Sequence, residues 1–151
     1  MSDVCQFRLC YDWIPVVYDR NRPLAADIHG PHIYRFSLKT KDGNLKSIYI
    51  GQTQSIQRRM NDYQYEIRAV PKDQVNRIRN EFALIEKDGG SVELHVLQIQ
   101  SGSLDQREID QSSLQFPQVR HIVENLLLCH PVSRGVNILN NNCPSIQDAI
   151  C

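Results

Sequence analysis

The amino-acid sequence predicts an α+β domain preceded by a short N-terminal arm. In some segments the apolar residues alternate with a period of two, as in strands, and in others they recur with helical spacing. These segments follow one another in the order arm, β-β-α-α-β-α, tail. The order contains no β-α-β crossover of the doubly wound kind. The arm covers residues 1–30 and the domain covers residues 31–151.

The composition indicates one globular domain. Of the 151 residues, 41% are hydrophobic and 23% are charged, and seventeen basic side chains balance seventeen acidic ones. A net charge of zero excludes a protein that coats nucleic acid by bulk charge, although a local basic face is still compatible with it. No apolar run approaches the roughly 20 residues that a membrane-spanning helix needs, so we expect no membrane partner.

The N-terminus and the cysteines predict a cytoplasmic protein. Asp3 and the lack of a long apolar run exclude a secretory signal at the N-terminus. An odd number of cysteines indicates reduced thiols. The five cysteines are Cys5, Cys10, Cys129, Cys143 and Cys151. None forms a C-x-x-C pair, and buried small apolar side chains are favoured over a zinc site.

The first regular elements of the predicted domain form a β-hairpin. Residues 1–31 contain Pro15 and Pro23 and end in Gly30-Pro31, which indicates an irregular or strand-bearing arm. Residues 32–38 alternate, and residues 47–51 are rich in β-forming side chains. Asp42-Gly43 between them is typical of a tight hairpin turn. We therefore expect two paired strands here.

Two helices follow the hairpin. The first is capped by Thr53 or Ser55 and runs to about Tyr65. The second follows Asp73, carries apolar residues at helical spacing and ends at Gly89-Gly90.

A third strand and a last helix complete the predicted domain. Residues 92–98 form the strand, whereas residues 100–115 are polar and irregular. An amphipathic helix is predicted over residues 119–127, where apolar side chains form a continuous stripe. The Asn-rich tail over residues 131–151 is typical of a loop.

The hairpin and the helix after it carry the residues that are most informative about function. Tyr34 and Tyr49 lie on the two paired strands, and Gly51 lets another group approach the backbone. The following helix carries Arg58 and Arg59, whose guanidinium groups match phosphate oxygens geometrically. The same pattern also fits half-buried strand aromatics beside a solvated helix face. The residue types alone leave both interpretations open.

These segments resemble the two half-motifs of the GIY-YIG nuclease superfamily. The first half-motif is Ile33-Tyr34, with His32 where the family usually has glycine. The second and more specific one is Tyr49-Ile50-Gly51, followed by Arg59 ten residues after Tyr49.

Two features further along the chain extend the resemblance. In the family a helical glutamate precedes a short segment, often with proline, that ends in asparagine; here these are Glu124, Pro131 and Asn137. The resemblance covers roughly residues 30–140, with the layout of compact stand-alone members, namely small restriction enzymes and phage enzymes of the endonuclease II type. It implies a three-stranded antiparallel sheet flanked by helices.

The resemblance implies catalytic roles for five residues: Tyr34, Tyr49, Arg59, Glu124 and Asn137. Glu124 would be the ligand of one divalent cation, Mg²⁺ or Mn²⁺. Arg59 would hold the scissile phosphate, Tyr34 would activate the attacking water, and Tyr49 would hydrogen-bond the phosphate or solvent. Asn137 would support the site, with Asn140 as its competitor. The other interpretation of Glu124 is a surface ion pair with Arg120, four residues earlier.

A second set of residues is predicted to contact DNA: His32, Gly51, Arg58, Tyr63, Arg68 and Lys72. His32 shares a strand face with Tyr34, so either side chain is a candidate for the general base. Tyr63 stands where many members of the family carry histidine. Residues 55–79 hold six positive and three negative side chains, a pattern that suits DNA phosphates and also ordinary solvated helices.

The resemblance therefore implies a metal-dependent endonuclease that hydrolyses phosphodiester bonds in double-stranded DNA, in restriction or in phage-type DNA degradation. Because a small neutral domain has little surface for two DNA strands, we expect a homodimer or a higher homo-oligomer. The alternative is a catalytically inactive DNA-binding protein that retains the nuclease fold. A protein-interaction domain is a weaker third hypothesis.

Overall fold

A computed structural model describes residues 3–64, 73–129 and 135–140. The strands in these ranges are β1 (Phe7–Val16), β2 (His32–Lys39), β3 (Leu45–Thr53), β4 (Ser91–Leu104), β5 (Arg107–Glu108) and β6 (Asn137–Ile138). The helices are α1 (Ile56–Asp62), α2 (Asp73–Lys87), a 3₁₀ turn (Gln111–Gln115) and α3 (Pro117–Cys129). Within the described ranges, no helix is both long and apolar enough to cross a membrane.

The predicted three-stranded antiparallel sheet is wrong, because the strands build one six-stranded mixed sheet. Its order is β1-β4-β2-β3-β6, and β5 pairs with β4 beyond this path. All neighbours are antiparallel except β3 and β6, which run parallel. The additional strands come from the arm and from segments that the sequence analysis assigns to loops.

Pairing between β1 and β4 explains most of this difference. Along β1, half-buried Phe7, Leu9, Tyr11 and Trp13 alternate with exposed residues, so this part of the arm has one face suited to a core. Its partner β4 runs to Leu104, through a polar stretch of low strand propensity. The ladder to β1 holds that stretch extended. β6 has only two residues, too few to show a period.

The hairpin and the helices mostly follow the predicted pattern. Gly43 takes a positive φ of 81° in the turn between β2 and β3. Ser55 is the N-cap of α1, where its hydroxyl accepts a hydrogen bond from the Arg58 amide at 3.4 Å. α1 ends at Asp62, earlier than predicted, with Tyr63 as its C-cap.

The sheet separates two apolar cores. On one face Tyr34, Phe36 and Tyr49 pack with α1 and α2. On the other face Ile33, Ile48 and Ile50 pack with α3 and the 3₁₀ turn. Alternate residues of β2 and β3 thus face opposite cores. Near β3, side chains from elements on both faces of the sheet line one cleft.

Candidate active site

A cleft of about 440 Å³ brings together side chains from β2, β3, α1, α2 and α3. Its lining includes four of the residues that the resemblance assigns to catalysis: Tyr34, Tyr49, Arg59 and Glu124. Tyr63, predicted as a DNA contact, also lines it. Three further lining residues are not among the predicted ones: Gln52, Gln74 and Val75.

Gly51 gives the Tyr34 ring its place in the cleft. The two residues lie opposite each other on β3 and β2. A Cβ atom at position 51 would overlap the Cζ and hydroxyl of Tyr34 and would lie 2.9 Å from Cε1. Only glycine leaves the ring this room, because that separation is well inside van der Waals contact. The glycine of the second half-motif therefore has a steric reason here.

Three tyrosine hydroxyls meet in the cleft or at its wall. The Tyr34 and Tyr63 hydroxyls are 3.2 Å apart, within hydrogen-bonding distance. Gln74 donates from Nε2 to the Tyr49 hydroxyl at 3.2 Å. The Tyr34 ring also lies 6.2 Å from the Tyr49 ring and 6.4 Å from the Tyr63 ring, measured between centroids. The phenols form one packed group with linked polar ends.

Burial raises the pKa of all three phenols. For Tyr34, which is 1% exposed, loss of solvation is the largest cause, and the nearby Arg59 charge acts in the opposite direction. The pKa of Tyr49 and the pKa of Tyr63 are raised chiefly by burial as well. The hydroxyls are therefore neutral near pH 7, so they donate and accept hydrogen bonds rather than act as ready-made anions.

Arg59 brings a positive charge to the cleft. Its side chain is 22% exposed, and Nη1 lies 3.5 Å from Asp62 Oδ2, one helical turn along α1. Among the described residues this is the hydrogen bond that the guanidinium makes, so within those ranges its other N–H donors are available to an anion in the cleft. Arg58, one residue earlier, is exposed and is not among the described residues that line the cleft.

Glu124 brings a carboxylate to the same cleft from α3. Its side chain is 19% exposed, and burial raises its pKa. The closest basic group that we find in the described ranges is His121, whose Nδ1 lies 3.9 Å from Oε2. A desolvated carboxylate with so weak a partner has capacity for a cation.

Arg120 does not form the surface pair with Glu124 that the sequence leaves open. Its side chain is 4% exposed and is held by other partners. Nε donates to Gln52 Oε1 at 2.8 Å, and Nη1 donates to the carbonyls of Leu114 and Gln115 at 2.8 and 3.1 Å. Arg120 thus ties α3 to β3 and fixes Gln52 in the cleft wall.

Of the two candidate asparagines, Asn140 supports the cleft strand. Its Oδ1 accepts a hydrogen bond from the Ile50 amide at 3.0 Å, and its Nδ2 donates to the Ile50 carbonyl. The side chain continues the β3 ladder between Tyr49 and Gly51. Asn137, in β6, is exposed and pairs with Ser47 of β3. It lies outside the described cleft lining. The structure thus brings Asn140, and not Asn137, next to the half-motif.

His32 and the two remaining basic residues complete the predicted set. The His32 Nδ1 lies 3.2 Å from the Gly30 carbonyl, and burial lowers its pKa. Because a carbonyl only accepts, Nδ1 carries the proton in this contact. His32 does not belong to the described lining of the cleft. Arg68 and Lys72 lie outside the described residues.

Glu124 is the single carboxylate in the described lining of the cleft. In the part of the chain that the structure describes, no group of three or more His, Cys, Asp or Glu side chains could hold a metal by itself. Mg²⁺ commonly keeps several waters and takes one or two carboxylates plus substrate phosphates. Glu124 meets that need with one carboxylate, provided that a phosphate supplies further ligands.

Gln52 and Gln74 show what the sequence could and could not reveal. Gln52 directly follows the second half-motif, so its position was a usable signal, whereas Gln74 in the first turn of α2 has none.

The chain matches no protein-family model, no curated protein and no solved structure. A function for it must therefore be argued from the cleft itself.

Proposed function

We propose that the cleft hydrolyses phosphodiester bonds in double-stranded DNA with one divalent cation, Mg²⁺ or Mn²⁺. The observation that carries the proposal is the convergence of Tyr34, Tyr49, Arg59 and Glu124, from four different elements, on one cleft. Hydrolysis of a phosphodiester needs positive charge at the phosphate, a ligand for a metal ion and groups that position water. The Arg59 guanidinium, the Glu124 carboxylate and the neutral tyrosine hydroxyls would supply these. The resemblance to GIY-YIG nucleases enters this proposal through the site residues only, since the predicted sheet is wrong.

In the proposed reaction Arg59 binds the non-bridging oxygens of the scissile phosphate. Its free N–H groups offset the negative charge that increases at phosphorus in the transition state. The partial burial of the guanidinium strengthens this interaction, because the surroundings screen it less than water does. The contact with Asp62 limits the freedom of the Arg59 side chain.

Glu124 is the proposed ligand of the cation. A bound Mg²⁺ would polarise the phosphate and stabilise the leaving oxygen. The carboxylate must be ionised to bind it, and burial opposes ionisation until a cation is present. Ionisation of Glu124, binding of the cation and binding of the phosphate should therefore favour one another.

The tyrosines orient the attacking water in this proposal. Tyr34 presents a neutral hydroxyl that is linked to Tyr63, so it would hydrogen-bond the attacking water without taking its proton. As the water oxygen bonds to phosphorus and the bond to the leaving oxygen breaks, the proton that the water loses passes to solvent, and the leaving oxygen takes up a proton from solvent. Tyr49, held by Gln74, binds the phosphate or a second water. Asn140 fixes the backbone between them through Ile50.

The finer parts of the proposal concern setting and role. A cytoplasmic setting suits the free thiols of Cys5, Cys10 and Cys129, which are exposed and not buried as the sequence analysis expects. A restriction or phage-type DNA-degrading role is proposed from the resemblance alone. A homodimer would supply two clefts for the two strands of a duplex.

Incubation of supercoiled plasmid with the purified protein tests the proposal. We expect nicked or linear DNA with Mg²⁺ and none with EDTA. Glu124→Gln keeps the shape and removes the charge, so it should abolish cleavage and leave DNA binding largely intact. Glu108→Gln, at an exposed carboxylate of β5, is the matched control and should cut like wild type.

Four outcomes separate the hypotheses. Binding without cleavage in any metal would favour the catalytically inactive DNA-binding protein. Neither binding nor cleavage would contradict both. Discrete fragments would indicate sequence-specific restriction, whereas a smear would indicate DNA degradation.

A further inference from the structure

β1 forms an open edge of the sheet. In the described part of the chain it pairs only with β4, and no strand lies on its other side. It is ten residues long, and Pro15 stands near its end. Natural edge strands of this length are usually shortened, covered or carry lysines, because a bare row of N–H and C=O groups pairs with other strands. Among the described residues no strand lies beside β1 on this edge, and β1 carries no lysine between Phe7 and Ile14; its ladder to β4 shifts register between Cys10 and Tyr11.

The side chains of β1 are complementary to themselves when two copies run antiparallel. If Cys10 lies opposite Cys10 of a second copy, Arg8 lies opposite Asp12 twice, once on each side of the two-fold axis. The three residues share the exposed face of the strand. Arg8 makes no ion pair in the described ranges, and Asp12 is held by Gln100 Nε2 through one oxygen, at 2.9 Å.

The opposite face of the strand fits the same register. Leu9 then pairs with Tyr11, and Phe7 pairs with Trp13, so an aliphatic–aromatic and an aromatic pair form on each side. Pro15, which cannot donate a hydrogen bond, falls outside the paired segment.

Neighbouring registers that keep the faces together are worse. Centring the pair on Leu9 leaves Arg8 opposite Cys10, and centring it on Tyr11 leaves Asp12 opposite Cys10. Larger shifts bring Arg8 opposite Arg8 or Asp12 opposite Asp12, which repel.

We propose that a second copy of this chain docks on β1, antiparallel and centred on Cys10, to join the two sheets into one. Backbone hydrogen bonds along the open edge supply affinity, and the Arg8–Asp12 pairs select the register. β4 and β2 separate β1 from β3, so the cleft stays uncovered. The inference does not rest on the proposed nuclease function, and its test measures no cleavage.

Charge exchange tests the docking surface, with mass measured by sedimentation equilibrium of the full chain. We expect wild type to dimerise, and Arg8→Asp or Asp12→Arg to raise the dissociation constant at least about tenfold, because each reverses two cross-strand pairs. The double variant Arg8→Asp/Asp12→Arg restores opposite charges and should return to wild-type affinity. Arg22→Asp, at a side chain 82% exposed outside β1, should change nothing.

Cross-linking at Cys10 tests the register. Residues directly opposite in an antiparallel pair have Cα atoms about 4.5 or 5.5 Å apart, within the range that a disulfide spans. We would replace the other four cysteines by serine and oxidise with diamide, which takes up the two protons and two electrons that the thiols release. A disulfide dimer should form at Cys10, and variants whose only cysteine is Cys5 or Cys129 should form far less.

A wild type that stays monomeric at 100 μM (a concentration chosen as roughly tenfold above a typical weak dimer's dissociation constant) would overturn the proposal. So would a dimer that ignores both charge reversals. Restoration by the double variant together with rapid Cys10 cross-linking would support it, since a misfolded single variant could not produce that pattern.

Discussion

At the scale of single residues, the cleft depends on groups whose charge states are set by burial. Tyr34 and Glu124 are both partly or fully removed from water, and both have a raised pKa for that reason. Arg59 is the cationic side chain among the described lining residues. The cleft therefore combines a neutral phenol at Tyr34, a carboxylate at Glu124 with capacity for a cation, and a guanidinium at Arg59 with capacity for an anion.

Tyr34 and His32 can be compared directly. Tyr34→Phe deletes the neutral hydroxyl that is proposed to position the attacking water, so it should lower single-turnover cleavage by roughly 10²–10³-fold, the scale of losing one preorganised hydrogen-bonding group. His32→Ala should retain a substantial fraction of activity and mainly weaken DNA binding, because His32 is outside the described lining. Single-turnover rates at saturating enzyme measure this. An inactive His32→Ala beside a near-normal Tyr34→Phe would assign the base to His32.

Arg59→Ala should slow turnover by roughly 10²–10³-fold, as expected for the loss of one preorganised donor. Arg58→Ala is the matched variant, since Arg58 is exposed and lies about 100° around the helix. It should cost much less. Multiple-turnover cleavage of plasmid compares the two. Equal losses would indicate a general phosphate-binding face without a designated catalytic arginine.

The pH dependence of cleavage should report Glu124. Its carboxylate must lose its proton to bind the cation, and burial raises its pKa above the ordinary 4.5. Activity should therefore fall with decreasing pH at a midpoint above 4.5, and more Mg²⁺ should move that midpoint downward because cation and proton compete. Single-turnover rates at two Mg²⁺ concentrations test this. A midpoint that ignores Mg²⁺ would contradict the assignment.

The raised pKa of Glu124 also predicts how the stability of the fold depends on pH. A carboxyl whose folded pKa is raised stabilises the fold below its unfolded pKa and loses that contribution as pH rises through the folded pKa. Without metal, Glu124→Gln should therefore melt higher than wild type near pH 7, and this advantage should disappear at strongly acidic pH. Thermal melts of the two proteins without metal measure it.

At the scale of elements, the β2–β3 hairpin holds the site together. Gly51 makes room for Tyr34, and Asn140 extends the ladder of β3 at Ile50. Arg120 fastens α3 to the same strand through Gln52. The position of Glu124 relative to the tyrosines thus depends on contacts between elements that are far apart in sequence.

Gly51→Ala should show how much the hairpin matters. The added methyl collides with the Tyr34 ring, so we expect a loss of about 1–3 kcal/mol in the free energy of unfolding, together with most of the activity. Gly43→Ala has nothing within 4 Å of its new Cβ but a φ of +81°, so it should cost stability and spare cleavage. Urea melts and plasmid cleavage compare the two. Unchanged activity in Gly51→Ala would mean that the Tyr34 position is not critical.

At the scale of the whole molecule, a net charge of zero limits how the proposed DNA substrate would be held. The cationic side chains predicted to contact phosphates are Arg58, Arg59, Arg68 and Lys72, of which the last two lie outside the described residues. A protein of this kind should bind through a small number of phosphates and not through a broad basic surface.

Salt dependence measures that number. Each neutralised phosphate contributes a slope of about −0.9 to the logarithm of the DNA binding constant against the logarithm of salt concentration. Four contacts predict a slope no steeper than about −4. Fluorescence anisotropy with the Glu124→Gln variant, which should bind without cutting, provides the values. A slope of about −8 would reveal a larger basic surface than the sequence indicates.

Local patterns in the sequence were enough to predict the hairpin over β2 and β3, the Ser55 cap as one of two choices, and the amphipathic helices. They also singled out Tyr34, Tyr49, Arg59 and Glu124, which the structure places around one cleft. Periodicity, turn chemistry and capping depend on neighbours within a few residues, so one chain is enough to read them.

The sheet order, the pairing of the arm with β4 and the contact of Asn140 with the backbone of β3 were decided only by tertiary structure. β1 and the polar end of β4 form strands because they pair with each other across about 90 residues of sequence, and no local propensity reports such a partner. Asn140 acts through the backbone of Ile50, which any residue type would offer, so no sequence pattern marks it. Contacts of this kind depend on where the folded chain returns, and that is determined by the packing of the whole domain.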